Sequence, residues 1–148
     1  MKKHSNIVEM ICVPIILNKK GEVLLVKSPK WKGQISVPGG HVELGETVFE
    51  TACREGLEET GLKLKPLYCV NIEELINPPG FYRKIHFISI HVVCKIKSGK
   101  VKIDEKEISD FFWIKPKDAL KIKNLTSGIK ETLINLINGV KFNIDTFK

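Results

Sequence analysis

Three glutamates, Glu55, Glu58 and Glu59, stand at i, i+3 and i+4. At ~100° per residue on a helix they fall within an arc of roughly 100°, with Val48, Phe49, Ala52, Cys53, Gly56 and Leu57 on the opposite half. Carboxylates spaced in this way repel one another and destabilise an isolated helix, so they require a compensating cation. Carboxylate oxygens are hard ligands suited to Mg²⁺ or Mn²⁺, and the glycine-rich turn just before the helix offers a backbone carbonyl such as that of Gly39. No His/Cys set with zinc spacing competes. The bland alternative is a solvated acidic helix face.

A helix over 47–60 must present this acidic stripe, and Gly61 is its predicted C-terminal cap. Before it, 7–17 reads as a strand, 19–21 as a turn and 23–26 as a returning strand, which together make a hairpin. A short strand over 35–37 stops at Pro38-Gly39-Gly40, where the two glycines allow positive φ and a close backbone approach to a ligand. Further strands are expected over 62–70, 82–96 and 111–114, with a loop at Asn77-Pro78-Pro79-Gly80. The imperfect alternation from His86 to Val93 fits a strand buried on both faces. A closing helix capped by Ser127 runs to Asn138, with Ile129, Leu133, Ile134 and Ile137 as its apolar stripe and Gly139 as its stop. The fold class is α+β: an α/β/α sandwich with a mixed sheet flanked by helices.

Composition sets the frame. With 148 residues, 43% hydrophobic and 28% charged, the chain is ordinary globular material and reads as one domain over 1–148. Its longest apolar runs fall short of the ~20 residues of a membrane helix, and the N-terminus lacks the apolar core of a signal peptide, so a cytoplasmic location without membrane partners is expected. Four scattered cysteines read as buried thiols. The charge of +7 is a lysine excess, since Arg54 and Arg83 are the two arginines. Without a basic-aromatic motif, it points to an anionic ligand and not to a dedicated nucleic-acid partner.

From Gly39 the chain reads GGHVELGETVFETACREGLEETGL. The pattern of Gly40, Glu46, Arg54-Glu55, Glu58-Glu59 and Gly61-Leu62 resembles the Nudix box, at 40–62, of the Nudix (MutT-like) hydrolases. With Gly40 setting the start, the seven further matches at fixed spacing arise by chance about once in 10⁸ start positions. One position departs: Gly56 stands where the box usually has an aliphatic residue. A mid-helix glycine costs about 1 kcal/mol relative to alanine, and on the apolar arc it predicts closer packing with the chemistry intact. The preceding hairpin, Trp31 and the later run from Glu107 to Trp113 are similar to family features in the same order.

The resemblance implies a Nudix sandwich that hydrolyses nucleoside diphosphates linked to another group X with a divalent cation. Carried over by position, Glu55, Glu58, Glu59 and the Gly39 carbonyl hold metal, while Glu46 and Arg54 support that array. The proton of the attacking water goes to a box glutamate or to a later acid, for which Glu107 is the candidate, with Asp104 and Glu105 as substitutes. Among the remaining residues, Phe81 and Tyr82 offer rings to a base and Arg83 a bidentate fork to a phosphate; Trp31, Lys27 and Lys32 lie near the mouth of the site. His41 reads as loop filler, and His86 and His91 as satisfied strand residues.

The expected partner is a small nucleotide, and a homodimer is compatible with the family. A proline about sixteen residues past the box, as Pro78 is, accompanies ADP-ribose hydrolysis in the family. The substrate expectation is therefore ADP-ribose or a (d)NTP such as 8-oxo-dGTP. Behind these stand triphosphate-capped RNA, dinucleoside polyphosphates, and a non-catalytic nucleotide sensor.

Overall fold

The computed structural model describes residues 6–148. Strand β1 (Glu9–Leu17) turns back through β2 (Val23–Lys27), as the hairpin reading expects, and a single 3-10 turn (Pro29–Trp31) leads to β3 (Ile35–Ser36) and β4 (Gly40–His41). Helix α1 (Val48–Thr60) is followed by the long strands β5 (Lys63–Ile76) and β6 (His86–Ser98), then β7 (Asp110–Ile114), α2 (Pro116–Ala119) and α3 (Ile129–Ile137).

The sheet runs β3-β2-β1-β6-β5, with β4 added to β1 and β7 to β2. β1 and β6 are parallel from Glu9↔Phe87 to Leu17↔Lys95 and the other pairs antiparallel, so the sheet is mixed. Period-2 alternation divides its side chains between two cores. Cys12, Ile16, Leu24, Val26, Val92 and Cys94 pack beneath α1, and Val13, Ile15, Val23, Leu25 and Val93 pack with Ala119, Ile129 and Leu133 of the other two helices. This is the expected three-layer sandwich. β6 lies between β1 and β5 and is buried along most of its length, as its broken alternation predicts.

The start of α1 is fixed by a capping box: Thr47 Oγ1 accepts from the Glu50 amide at 3.1 Å and Glu50 Oε2 accepts from the Thr47 amide at 2.9 Å. Gly61, at φ 74°, closes the helix. A Cβ on Gly56 would strike Leu64, which confirms the close packing expected there. Burial of Leu64 contributes about 1.5–3 kcal/mol and outweighs the intrinsic cost of the glycine.

Several expectations are corrected. Gly39 and Gly40 do not take positive φ; β4 extends through Gly40, and the glycines serve by their missing side chains. Leu57, placed on the apolar arc, is 46% exposed because it sits at the stripe's edge. Ser127 does not cap α3, since Gly128 holds that position in the left-handed region. Ile134 and Ile137 are at the exposed margin of the α3 stripe, and Ile129 and Leu133 carry the packing.

Candidate active site

Glu46, Arg54, Glu55 and Glu58 form one charge network that joins the loop before α1 to the acidic face of the helix. The Arg54 fork grips Glu46, with Nε donating to Oε2 at 2.7 Å and Nη2 to Oε1 at 2.9 Å. The same Nη2 donates to the His41 carbonyl at 2.9 Å, and Nη1 reaches Glu55 at 2.8 Å and Glu58 at 3.3 Å. One planar cation therefore ties the loop after β4 to the acidic face of α1. The Arg54 fork holds Glu46 down at about 2, with the Thr51 hydroxyl donating a further bond at 2.5 Å.

Gly40 makes room for this network, because a Cβ there would occupy the space of the Glu55 carboxylate. A Cβ on Gly39 would meet Val13 Cγ2 at 2.9 Å. Glu59 is buried and accepts from the Gly39 amide at 3.0 Å. Burial, followed by the charge of Glu55, pushes Glu59 up to about 8, and burial also raises Glu55.

Glu107 joins this site from the loop before β7. With Gly39, Glu59 and Lys30 it lines a small cavity, and its Oε2 lies 2.6 Å from Lys30 Nζ. Asp104 turns inward on its own loop, its carboxylate accepting from the Lys106 amide at 3.1 Å, and neither it nor Glu105 lines the cavity.

A wider cleft adjoins it. Trp31, Phe81, Tyr82 and Arg83 line this cleft, and Lys30, Trp31, Val37 and Gly39 are common to both hollows. Trp31 meets Phe81 edge-on at 4.7 Å, and Phe81 packs on Tyr82 and Phe87 at 4.8 and 5.5 Å. Arg83 stands over all three of those rings at 5.7–5.9 Å. Its guanidinium, which the sequence offers to a phosphate, is engaged by Glu9 at 2.8 and 2.9 Å, and His41 reaches Glu9 at 2.6 Å. Arg83 thus belongs to the cleft wall. The Tyr82 amide donates to the Lys30 carbonyl at 3.0 Å and joins this loop to the 3-10 turn.

Sequence reasoning missed Lys30, Glu9 and Glu73. Lys30 had a local signal, the Ser28-Pro29 start of a turn. Glu9 and Arg83 are 74 positions apart, and nothing local announces their pairing. His86 is bonded to Glu74 at 2.9 Å, and buried His91 to Glu73, Ser89 and Thr132, as satisfied strand histidines should be.

The sequence profile of the NUDIX domain matches residues 9–136. The chain belongs to the Nudix family. It is 37% identical over 107 residues to an ADP-ribose pyrophosphatase of Methanocaldococcus jannaschii, covering 69% of this chain and 60% of that protein. It is 31% identical over 105 residues to the NAD-capped RNA hydrolase NudC of Photobacterium profundum, covering 70% of this chain and 37% of that one. The matches thus span less than two thirds of either relative. The solved structure of a MutT protein from Methanosarcina mazei Go1 superposes with a TM-score of 0.77 over 93% of this chain and 98% of that one, at 20% identity. That likeness establishes the Nudix fold.

Nudix hydrolases generally use divalent metal ions. The donor set of this Nudix box bears on such an ion. Among the described residues the carboxylates do not converge on one point: Glu55 and Glu58 lean on Arg54, and Glu59 on the Gly39 amide. The donors themselves fit, being hard oxygens on one helix face, one of them, Glu59, buried and raised in pKa by that burial and by the neighbouring charge of Glu55. No helix among the described residues is long and apolar enough to cross a membrane.

Proposed function

We propose that this Nudix domain is a Mg²⁺-dependent pyrophosphohydrolase acting on a nucleoside diphosphate linked to a second group. The observation that carries the reading is the shared rim of Lys30, Trp31, Val37 and Gly39 between a carboxylate-lined cavity and an aromatic cleft. A molecule with a planar ring at one end and a diphosphate beside it spans the two. The rings of Trp31, Phe81 and Tyr82 hold the base in the cleft, with Arg83 stiffening the wall.

Glu55, Glu58 and Glu59, with the Gly39 carbonyl, would hold Mg²⁺ or Mn²⁺. When bound, the ion neutralises the diphosphate, polarises the phosphorus and acidifies the attacking water. Glu46 and Arg54 fix the helix face and the loop on which those donors stand. Glu107 takes the water's proton as the new P–O bond forms and the anhydride P–O bond breaks, with a box glutamate as the alternative base. Buried Pro78 and the 37%-identical relative named ADP-ribose pyrophosphatase support an ADP-ribose-like substrate ahead of a (d)NTP. Four free and mostly buried thiols support a reducing, cytoplasmic setting.

The test is turnover of ADP-ribose, 8-oxo-dGTP, ordinary (d)NTPs, a diadenosine polyphosphate and 5′-triphosphate RNA with Mg²⁺, with Glu58→Gln as control. Cleavage of one compound by the parent protein and loss in the variant sustain the reading. A folded protein that binds Mg²⁺ and cleaves none of them refutes it and leaves the sensor reading.

A further inference from the structure

The deep wall of the aromatic cleft carries a carboxylate that the reaction above does not use. Glu73 of β5 lines the cleft with its side chain only 12% exposed, and Ser36, Ser89, His91 and Thr126 line the same cleft. Two features hold it there. Gly128 has no side chain, and a Cβ at that position would occupy the space of the Glu73 carboxylate. His91, itself buried, brings Nε2 within 2.5 Å of Glu73 Oε1.

A carboxylate only accepts, so the proton of His91 facing it is on Nε2. In the neutral ring Nδ1 then accepts from the Thr132 hydroxyl at 2.7 Å. Thr132 is fully buried in α3 and also receives the Asn71 amide at 3.1 Å. The chain from Thr132 through His91 to Glu73 thus sets the carboxylate in one orientation. His91 satisfies one of its roughly four acceptor sites, and a cleft ligand is placed to serve the others.

We propose that Glu73 is the specificity-determining acceptor of the cleft, selecting substrates that present two adjacent hydrogen-bond donors. A carboxylate pairs best with two parallel donors. The N1–H and N2–H edge of guanine provides such a pair, and so does the vicinal diol of a ribose. Adenine sets an acceptor, N1, beside its donor amine and would turn a lone pair toward the carboxylate. A site built around a buried acceptor rejects a ligand that leaves it unpaired far more strongly than an apolar pocket rejects a misfit. This inference rests on the hydrolase reading for its substrates.

The experiment compares the parent protein with Glu73→Gln on dGTP, ADP-ribose and dATP, recording kcat and KM separately. Binding of dGDP, ADP-ribose and dADP is measured alongside in EDTA, where nothing turns over. Glutamine still accepts from His91 but replaces one acceptor oxygen by a donor. The expected result is a rise of about tenfold or more in KM and Kd for the paired-donor compounds, with kcat held and the dATP and dADP values unchanged or improved. Loss on dGTP and dGDP alone assigns the base edge, and loss on ADP-ribose alone assigns the diol. An equal loss on all three, an unchanged KM and Kd throughout, or no binding of any of them by the parent protein overturns the proposal. Absence of turnover with the binding difference intact refutes the hydrolase reading and leaves this one standing. If Glu73→Gln does not fold, Glu73→Asp, which withdraws the carboxylate by one methylene, is read by the same criteria.

Discussion

Lys30 Nζ lies 2.6 Å from Glu107 Oε2, and this pair bridges the two hollows of the site. Burial works against the Lys30 charge, yet the bond and attraction of Glu107, with Glu59 adding to them, hold its pKa above the ordinary lysine value. On the proposed reading, a diphosphate crossing the rim would compete with Glu107 for the ammonium. Transfer of Lys30 to phosphate would free Glu107 to accept a proton. Lys30→Met is therefore expected to raise KM for a diphosphate substrate by about tenfold or more, while Glu107→Gln lowers kcat. Steady-state kinetics on the two variants separates these effects; a kcat loss with unchanged KM in Lys30→Met refutes the transfer.

Arg54 makes contacts that a lysine cannot reproduce. Its fork spans Glu46, the His41 carbonyl and Glu55 at 2.7–2.9 Å, whereas an ammonium is a single point of charge. Arg54→Lys is expected to lose on the order of 1–2 kcal/mol of stability, and Arg54→Ala more, because Glu46 and Glu55 are left half-buried without their partner. Urea denaturation measures both, and equal stability in the lysine variant contradicts the bidentate role.

Acid tests two pairs at once. Glu46 is lowered to about 2 by the Arg54 hydrogen bonds, and Glu9 is lowered by its bonds to Arg83. A carboxyl with a folded pKa below its unfolded value stabilises above the unfolded pKa and loses that contribution as pH falls toward the folded one. Stability is thus expected to fall from about pH 4.5 down to about pH 2 through these groups. Glu46→Gln should flatten that limb by about 1–2 kcal/mol, the share left after solvent screening. Thermal melts from pH 2 to 7 check the slope.

Binding of a divalent ion to the folded state alone raises the melting temperature. Millimolar Mg²⁺ is expected to stabilise the parent protein by a few degrees, and Glu58→Gln to abolish that gain without changing the metal-free melt. Glu58 is the most exposed of the three stripe glutamates, with its side chain 57% open, so its neutralisation spares the core. A metal-linked shift that survives the substitution would remove Glu58 from the donor set.

On the proposed reading Glu9 braces the cleft wall through Arg83 and takes no part in the reaction. Glu9→Gln leaves the Arg83 cation without its counter-charge beneath Phe81 and Phe87, and loosening of that wall is expected to raise KM severalfold with kcat held. A kcat loss at constant KM would assign Glu9 to the chemistry.

The parts of the molecule legible in the sequence are those whose causes are local. α1 is legible from the period of its apolar side over 47–60 and from Gly61, and the same period places the candidate metal donors on one acidic stripe. The closing helix is legible from its apolar stripe, but its cap falls on Gly128 and not on Ser127, because a left-handed glycine leaves no trace in residue propensities. α2 was missed, since four residues after Pro116 have no periodicity to detect. β5 runs on to Ile76 through Glu73 and Glu74, past the expected strand end at Val70; pairing with β6 and the partners His91 and His86 stabilise them there. The Glu9–Arg83 and Lys30–Glu107 pairs join distant segments, and only the folded sheet brings them together.

The two halves of the site differ in how they are inherited. Every box side chain sits within the 23 positions of one loop and one helix, 40–62, while the cleft draws Trp31, Glu73, Phe81, Arg83 and Thr126 from segments scattered along the chain. On the proposed reading, drift in the scattered half would change which molecule is captured without disturbing how its anhydride is broken. Retargeting this scaffold, by evolution or by an engineer, would then be a matter of exchanging single cleft positions around a cutting unit that travels intact.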